Sequence, residues 1–263
     1  MSASIITLTT DFGLSDGFIG VMHGVIAGIA PKARIIDLSH AVPAQDVRHA
    51  AFLLQSHARY FPEGTIHLAV VDPGVGTERK IILAEHQGQC YMAPDNGLLT
   101  FLLREKDAHF YTAANQKYWL PEQSNTFHGR DIFAPLAAHI ASGVAIEDAF
   151  KQIASSSLVK LDEPGVQKIA NEIIGSVIHV DHFGNLITNI EAVDIPRDRK
   201  IVVQLGEIII DGLARSYSEK EPGDILAIIN SFNRLEISVN HGRAEALIPE
   251  LATKHINVKC SFE

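Results

Sequence analysis

Four aspartates, one arginine and one histidine hold the chemical interest of this chain. In VVDPGVGTERK, residues 70–80, an apolar run stops at Asp72. The chain then turns through Pro73, Gly74 and Gly76 and returns with a basic pair that includes Arg79. Asp11 closes a second apolar run, IITLTT, while Asp37 lies in RIIDLS and Asp95 in APDNG. His128 stands in NTFHGRDIFAP, after a polar loop and before a helix-like segment that opens with Asp131. A carboxylate, a guanidinium and an imidazole in one cleft have the means to hold a water and share its proton. Each residue also has a plain structural reading. Asp at a strand end commonly caps a helix or makes an Asx turn, and for Asp37 that reading is the simpler one.

The surrounding patterns exclude several chemistries. DPGVG lacks the G-x-x-x-x-G-K-[ST] of a phosphate loop, and the chain after it runs into ERKIIL, a strand pattern. GVMHGVIAG reads as a helix face rather than a dinucleotide fingerprint. The 13 histidines include no H-E-x-x-H or H-x-H, so zinc has no local signature. A formal net charge of -9, with no dense Lys/Arg cluster, disfavours nucleic acid as a partner. Two cysteines in 263 residues and no C-x-x-C give no disulfide framework, which fits a reducing cytoplasm. The start, MSASIITLTTDFG, has no basic n-region, and no apolar stretch reaches the roughly 18 residues of a membrane span.

The elements that must position these residues change character along the chain. Residues 1–158 alternate strand-like and helix-like segments. IITLTT (5–10) is a strand. Residues 15–30 read as a helix with Ser15 as N-cap and a stripe of Phe18, Met22, Val25 and Ile29, ended by Pro31. ARIIDLS (33–39) is a strand, residues 44–61 a helix stopped by Pro62, and TIHLAVV (65–71) a continuous apolar run typical of a central parallel strand. KIILAEH and QCYMAP flank QG and read as a hairpin; NGLLTFLLRE and RDIFAPLAAHIASG read as helices. This order predicts an α/β domain, its mainly parallel sheet covered by helices. Ligands then bind beyond the carboxyl ends of the strands. Asp11 and Asp72 should share that rim; the direction of the strand before Asp95 stays open.

Residues 159–172 read as a polar, turn-rich linker. Residues 173–263 follow as strands in short succession: IIGSVIHVD, NLITNI, KIVVQL, EIIIDG, DILAIIN, RLEISVN and RAEALI. This predicts a smaller all-β domain, a barrel or a sandwich. VDHFGNLITNI and INSFNRLEISVNHGRAE place Asp181, Asn185, Ser231, Asn233, Glu236 and Asn240 beside glycines and aromatics. Two hairpin turns account for them, most simply for Asn233 and Asn240, while amide, hydroxyl and carboxylate groups in turns also suit a purine edge or an amino acid as directional donors and acceptors.

Taken together, TLTTDFGLSDGFIGVMHGVI, VVDPGVGTER, APDNGLLT, TFHGRDIFAP, DHFGNLITNI and NSFNRLEISVNHG resemble the S-adenosyl-L-methionine hydroxide adenosyltransferase family. That family is related to the fluorinating and chlorinating enzymes that attack the same substrate with halide. The resemblance implies hydrolysis of S-adenosyl-L-methionine to adenosine and methionine, without a cofactor or metal. It implies a β-barrel for the second domain and a homotrimer with sites between subunits. It places a catalytic triad on Asp72, Arg79 and His128 and the ribose-binding carboxylate on Asp11, with Asp16 near the methionine part. Asp181 and Asn185 fall in the motif that grips the amino-acid end. Ser231, Phe232 and Glu236, with the backbone near Val239, fall around the adenine. The loop before NTFHGRD is short, and LIT after FGN lacks the halogenase tryptophan. Both departures favour water over halide.

For such a reaction the sulfonium is already a good leaving group, and the enzyme must place a water in line with the C–S bond. Arg beside Asp lowers the carboxylate's basicity. On that ground His128 is the expected proton acceptor near neutral pH, with Asp72 orienting the water and Arg79 anchoring developing negative charge. Two other readings use the same residues. One is a metal-dependent hydrolase with Asp11, Asp72 and His128 as ligands. The other is a non-catalytic adenosine or S-adenosyl-L-methionine binding protein.

Overall fold

The computed structural model describes residues 4–196, 198–248 and 257–262. The chain divides into two compact units, Met1–Leu161 and Asp162–Glu263.

The first unit is built on seven strands. These are β1 (Ile5–Thr10), β2 (Arg34–Ser39), β3 (Ile66–Val70), β4 (Ile81–His86), β5 (Gln89–Pro94), β6 (His109–Ala113) and β7 (Phe150–Ile153), in the order β2-β1-β3-β5-β4-β6-β7. The sheet is mixed, which corrects the expectation of a mainly parallel one. β1 pairs in parallel with β2 and β3, and β3 with β5, but β4/β5, β4/β6 and β6/β7 are antiparallel. The reversal is local in origin. Gln87 (φ 48°) and Gly88 (φ 71°) form a two-residue turn in the left-handed region, which matches strand twist and closes the β4–β5 hairpin.

Both faces of the sheet are covered. Ile66, Leu68 and Val70 of β3 pack into one core with Met22 and Ile26 of α1 (Phe18–Ile29) and Phe133 and Leu136 beside or in α3 (Ala134–Ala141). Ala69 and Val71 point the other way, toward Ala50 and Leu54 of α2 (Val47–His57). Burial on both sides explains the unbroken apolar run of β3. Since α1 and α2 lie on opposite faces, the strand order reverses between β1 and β3. That is the switch point at which open α/β sheets form a crevice.

Some sequence expectations need correction. α1 begins at Phe18 with Gly17 at its cap, and Ser15 caps nothing. Its buried stripe is Ile19, Met22 and Ile26, whereas Phe18 is 45% exposed. The segment is apolar almost all round, so its facing was not encoded in its pattern. NGLLTFLLRE forms only a short 3₁₀ turn, Thr100–Arg104. β6 and β7 were not foreseen.

The second unit contains β8 (Gln167–Ile169), β9 (Glu172–Val180), β10 (Leu186–Glu191), β11 (Ile201–Leu205), β12 (Ile208–Asp211), β13 (Ile225–Ile229), β14 (Arg234–Val239) and β15 (Asn257–Phe262). Their main path, β12-β11-β15-β9-β10-β14-β13, is antiparallel throughout, with β8 added beside β9. Ala214, just after β12, bridges Ile228 of β13 and donates its N–H to Ala227 O at 2.8 Å. The two ends of the path thus approach one another, and the sheet is nearly a barrel around Val203, Leu226's neighbour Ala227, Leu235, Ile237 and Cys260. β8 lies inside the stretch read as linker. RAEALI is not a strand: Ala244–Leu247 form a 3₁₀ turn. β15, absent from the sequence reading, sits between β11 and β9. Among the described residues no helix is long and apolar enough to cross a membrane.

Leu68 is fully buried in the centre of the first sheet. Leu68→Ala should lower unfolding free energy by about 2–5 kcal/mol, measured by urea denaturation; a loss under ~1 kcal/mol would contradict this packing.

Candidate functional site

Parallel pairing sets the first unit's rim. Thr10 of β1 is in register with Val70 of β3, so Asp11 and Asp72 leave the sheet at neighbouring strand ends. β4 runs the other way and pairs Ile81 with Pro94, so its first residues lie on that same rim. Arg79, two residues before β4, therefore arrives beside Asp72.

The contact is direct. Arg79 Nε and Nη2 donate to Asp72 Oδ2 at 2.8 and 2.5 Å. Arg79 Nη2 also lies 2.9 Å from His128 Nδ1. A guanidinium has no acceptor, so Nδ1 must accept, and the neutral ring carries its proton on Nε2. The guanidinium lies over the buried Phe133 ring, 5.5 Å from its centroid. The Asp72 and Arg79 side chains are only 5% and 10% exposed, so this is a largely desolvated ion pair. Asp72 Oδ1 is buried and has no hydrogen-bond partner among the described residues. Burial and then the Arg79 charge push the His128 pKa below its usual value, against smaller opposing effects of Asp72 and Asp131.

Two neighbouring segments hold His128. Gly76 has φ 80°, and a Cβ there would collide with the carbonyl oxygen of Asn125; glycine lets the Asp72–Arg79 turn close onto the loop before His128. His128 itself precedes a wide π turn, Gly129–Phe133, that runs into α3. Asp131 in that turn is fully buried. It accepts Ser124 N–H at 2.8 Å and Arg130 Nε–H at 2.5 Å. Burial opposes its ionisation, but these donors outweigh it and hold the carboxyl below its usual range.

The remaining candidates of this unit are placed differently. Asp11 Oδ2 accepts the N–H of Gln45 at 2.8 Å, and Gln45 is held at φ 66°. Asp16 is exposed, 3.4 Å from Ser15 Oγ. GLSDG spells a nucleophile elbow around Ser15, yet that hydroxyl meets a carboxylate instead of an imidazole. Asp95 accepts Val159 N–H at 2.9 Å and belongs to the local framework. Asp37 lies 2.9 Å from His23 Nε2 and 3.0 Å from His40 Nε2. Phe12, Phe18 and Phe127 meet edge to face, with centroids 5.2–6.0 Å apart, next to Asp11 and His128 in the chain. This aromatic group was missed, because Phe127 is remote in sequence from Phe12 and Phe18.

In the second unit the candidates fall at two ends of β14. The β9–β10 turn holds Asp181 and Asn185. Asp181 Oδ1 accepts the N–H groups of Phe183 and Asn185, and Oδ2 accepts Asn185 Nδ2–H, all at 2.9 Å. The loop after Val239 closes onto that turn: Glu245 N–H donates to Gly184 O at 3.0 Å, and Arg243 Nη1 to His182 O at 3.0 Å. Phe183 stands 69% exposed at its tip and was also missed. Ser231 and Phe232 occupy the β13–β14 turn, at the opposite end of β14. Glu236, within β14 and 3% exposed, accepts from Tyr217 Oη–H (2.8 Å), Ser238 Oγ–H (2.7 Å) and Asn230 Nδ2–H (3.1 Å). Burial, then that carboxylate, raise the Tyr217 pKa.

Comparison with known proteins agrees with this two-unit plan. Residues 6–150 match the model of the SAM hydroxide adenosyltransferase N-terminal domain, and residues 175–250 that of the C-terminal domain. The chain is 38% identical over 249 residues to the (R)-S-adenosyl-L-methionine hydrolase of Salinispora arenicola (strain CNS-205), covering 92% of this chain and 93% of that protein. It is 29% identical over 219 residues to a fluorinase of Actinoplanes sp. (strain N902-109), covering 73% and 74%. A crystal structure of an uncharacterized conserved protein from Thermotoga maritima superposes with a TM-score of 0.87 at 34% identity, covering 97% of this chain and 99% of that one.

Since the folded ring of His128 binds its proton more weakly than a free imidazole, this group lowers stability as pH falls below the ordinary value of about 6.5. Arg79→Met removes a positive neighbour, so the His128 ring should then titrate at higher pH by NMR. An unchanged or lower midpoint would refute the contact.

Proposed function

The chain belongs to the SAM hydroxide adenosyltransferase family, and from that premise we propose that it hydrolyses S-adenosyl-L-methionine to adenosine and L-methionine. The observation that carries the reading is the Asp72–Arg79–His128 contact, with one buried carboxylate oxygen that has no hydrogen-bond partner among the described residues.

In this reading a water sits in line with the C5′–S bond of the sulfonium. Its oxygen forms a bond to C5′, the C–S electron pair returns to sulfur, and neutral methionine leaves. The water proton passes to Asp72 Oδ1. This reverses the expectation that His128 accepts it. His128 Nδ1 is occupied by Arg79, and Nε2 in the neutral ring is a donor, so His128 orients the nucleophile. Arg79 holds both partners and, as a fixed cation, stabilises hydroxide character in the attacking oxygen. Positioning of this kind is worth roughly 7–11 kcal/mol in well-oriented reactions.

Asp11 accepts the ribose hydroxyls, a two-point contact that separates a nucleoside from a bare base. Asp16 lies toward the methionine part. Asp181 and Asn185, and the segment of Ser231, Phe232, Glu236 and Val239, contribute recognition of the rest of the substrate. Asp181 and Glu236 already accept several protein donors, so they act largely by shaping their surroundings. A homotrimer in the cytoplasm completes the proposal; the free thiols of Cys90 and Cys260 suit a reducing compartment.

A metal-dependent hydrolase is disfavoured by Arg79 itself. Its guanidinium occupies the place between Asp72 and His128 where a dication would have to bridge them.

Incubation with the (R) and (S) sulfonium epimers, in water, chloride and fluoride, followed by chromatography for adenosine, tests the activity. Adenosine release that survives chelation is expected; no release from either epimer would leave only a binding protein. Asp72→Ala should reduce turnover by about 10²–10⁴-fold while adenosine still binds, and full activity would overturn its role. Asp11→Asn should weaken adenosine binding roughly tenfold or more by calorimetry. Unchanged affinity would remove Asp11 from the site.

A further inference from the structure

The turn that carries Asp11 is gripped from behind by side chains the reaction does not use. His40, just beyond β2, is 6% exposed. Its Nδ1 lies 2.9 Å from Thr10 Oγ1, and its carbonyl accepts Gly13 N–H at 2.9 Å. Thr10 Oγ1 also accepts Phe12 N–H at 3.2 Å. The residues on both sides of Asp11 are therefore tied to one imidazole, directly or through a single hydroxyl. Five residues later the same segment supplies Gln45 N–H to Asp11 Oδ2.

The imidazole is itself braced. Its Nε2 lies 3.0 Å from Asp37 Oδ1 in an ion-pair contact, and His23 Nε2, from α1, meets that same oxygen at 2.9 Å. Burial opposes ionisation of Asp37, but the two imidazoles outweigh it and keep its carboxyl below the usual range. Among the described residues Nε2 makes no hydrogen bond despite that approach, so the ring's tie to the turn is its Nδ1 contact with the Thr10 hydroxyl. Thr10 in turn is free to accept Phe12 N–H. The imidazole, the Thr10 hydroxyl and the Phe12 N–H thus form one connected series into the backbone beside Asp11.

We propose that His40, braced by Asp37 and His23, is a positioning residue that fixes the Asp11 carboxylate for the ribose hydroxyls. It sets nucleoside affinity, not the rate of C–S cleavage. The proposal rests on the assignment of Asp11 to the ribose.

The test is steady-state kinetics on S-adenosyl-L-methionine together with adenosine calorimetry, for His40→Ala, His40→Asn, His40→Gln and Thr10→Val, with Asp11→Asn as reference. His40→Ala should raise KM and the adenosine Kd roughly tenfold, with kcat within about twofold of the parent. His40→Asn places an amide near the Nδ1 position and should recover most of the affinity; His40→Gln, reaching toward Asp37 instead, should not. Thr10→Val removes the hydroxyl while leaving the buried ring, and should reproduce the affinity loss even if His40→Ala fails to fold. Parental affinity in Thr10→Val and His40→Ala, with Asp11→Asn weakened, overturns the positioning role alone. A fall in kcat at unchanged affinity does so too. Parental affinity in Asp11→Asn overturns the ribose assignment and this proposal with it.

Discussion

One guanidinium, Arg79, joins three separately folded pieces of the first unit. It meets the carboxylate that ends β3, heads the strand that begins at Ile81, and reaches the imidazole before the π turn that leads into α3. A charge this far from water is tolerated only when its donors are paired. Asp72 and His128 supply the partners, and Phe133 supplies a ring beneath. The same pairing orders the site chemically. It consumes one oxygen of Asp72 and one nitrogen of His128, and so leaves a single carboxylate oxygen and a single ring N–H as available groups.

That arrangement depends on the departure from a parallel sheet. In a wholly parallel α/β sheet the rim collects residues that follow strands, here Asp11, Asp72 and Asp95. A residue that precedes a strand would fall at the opposite edge. Because the Gln87–Gly88 turn folds β4 and β5 into an antiparallel hairpin, the residues before β4 come to the rim as well, and a cation joins the carboxylates. The mixed sheet thus belongs to the site's construction.

Carboxylates of the same type play different parts according to what surrounds them. Asp181 is committed to the N–H groups of its own turn, and Glu236 to three side-chain donors. Asp131 clamps the loop before His128. Asp72 alone among these keeps a buried oxygen without a donor among the described residues. Burial by itself would not have separated them; the inventory of nearby donors does.

Much of this was legible in the chain. β1, β2, β3 and the β4–β5 hairpin follow from β-rich runs bounded by Gly and Pro, and the two-unit plan follows from the change from alternating helix and strand to closely spaced strands. Asp11 and Asp72 were placed on one rim because parallel strands leave no other choice. The short 3₁₀ turn at Thr100–Arg104, the facing of α1 and the insertion of β15 between β11 and β9 were not legible. Each depends on which neighbours a segment meets. Local pattern determined where strands stop and which side chains stand at their ends. Only the tertiary structure decided that Nδ1 of His128 accepts from Arg79, that Oδ1 of Asp72 is left open, and that His40 lies behind Asp11. The His128–Arg79 and His40–Thr10 contacts join residues 49 and 30 positions apart, and a hydrogen bond's direction is set by the partner that folding brings to it, not by the residue's own neighbours in the chain.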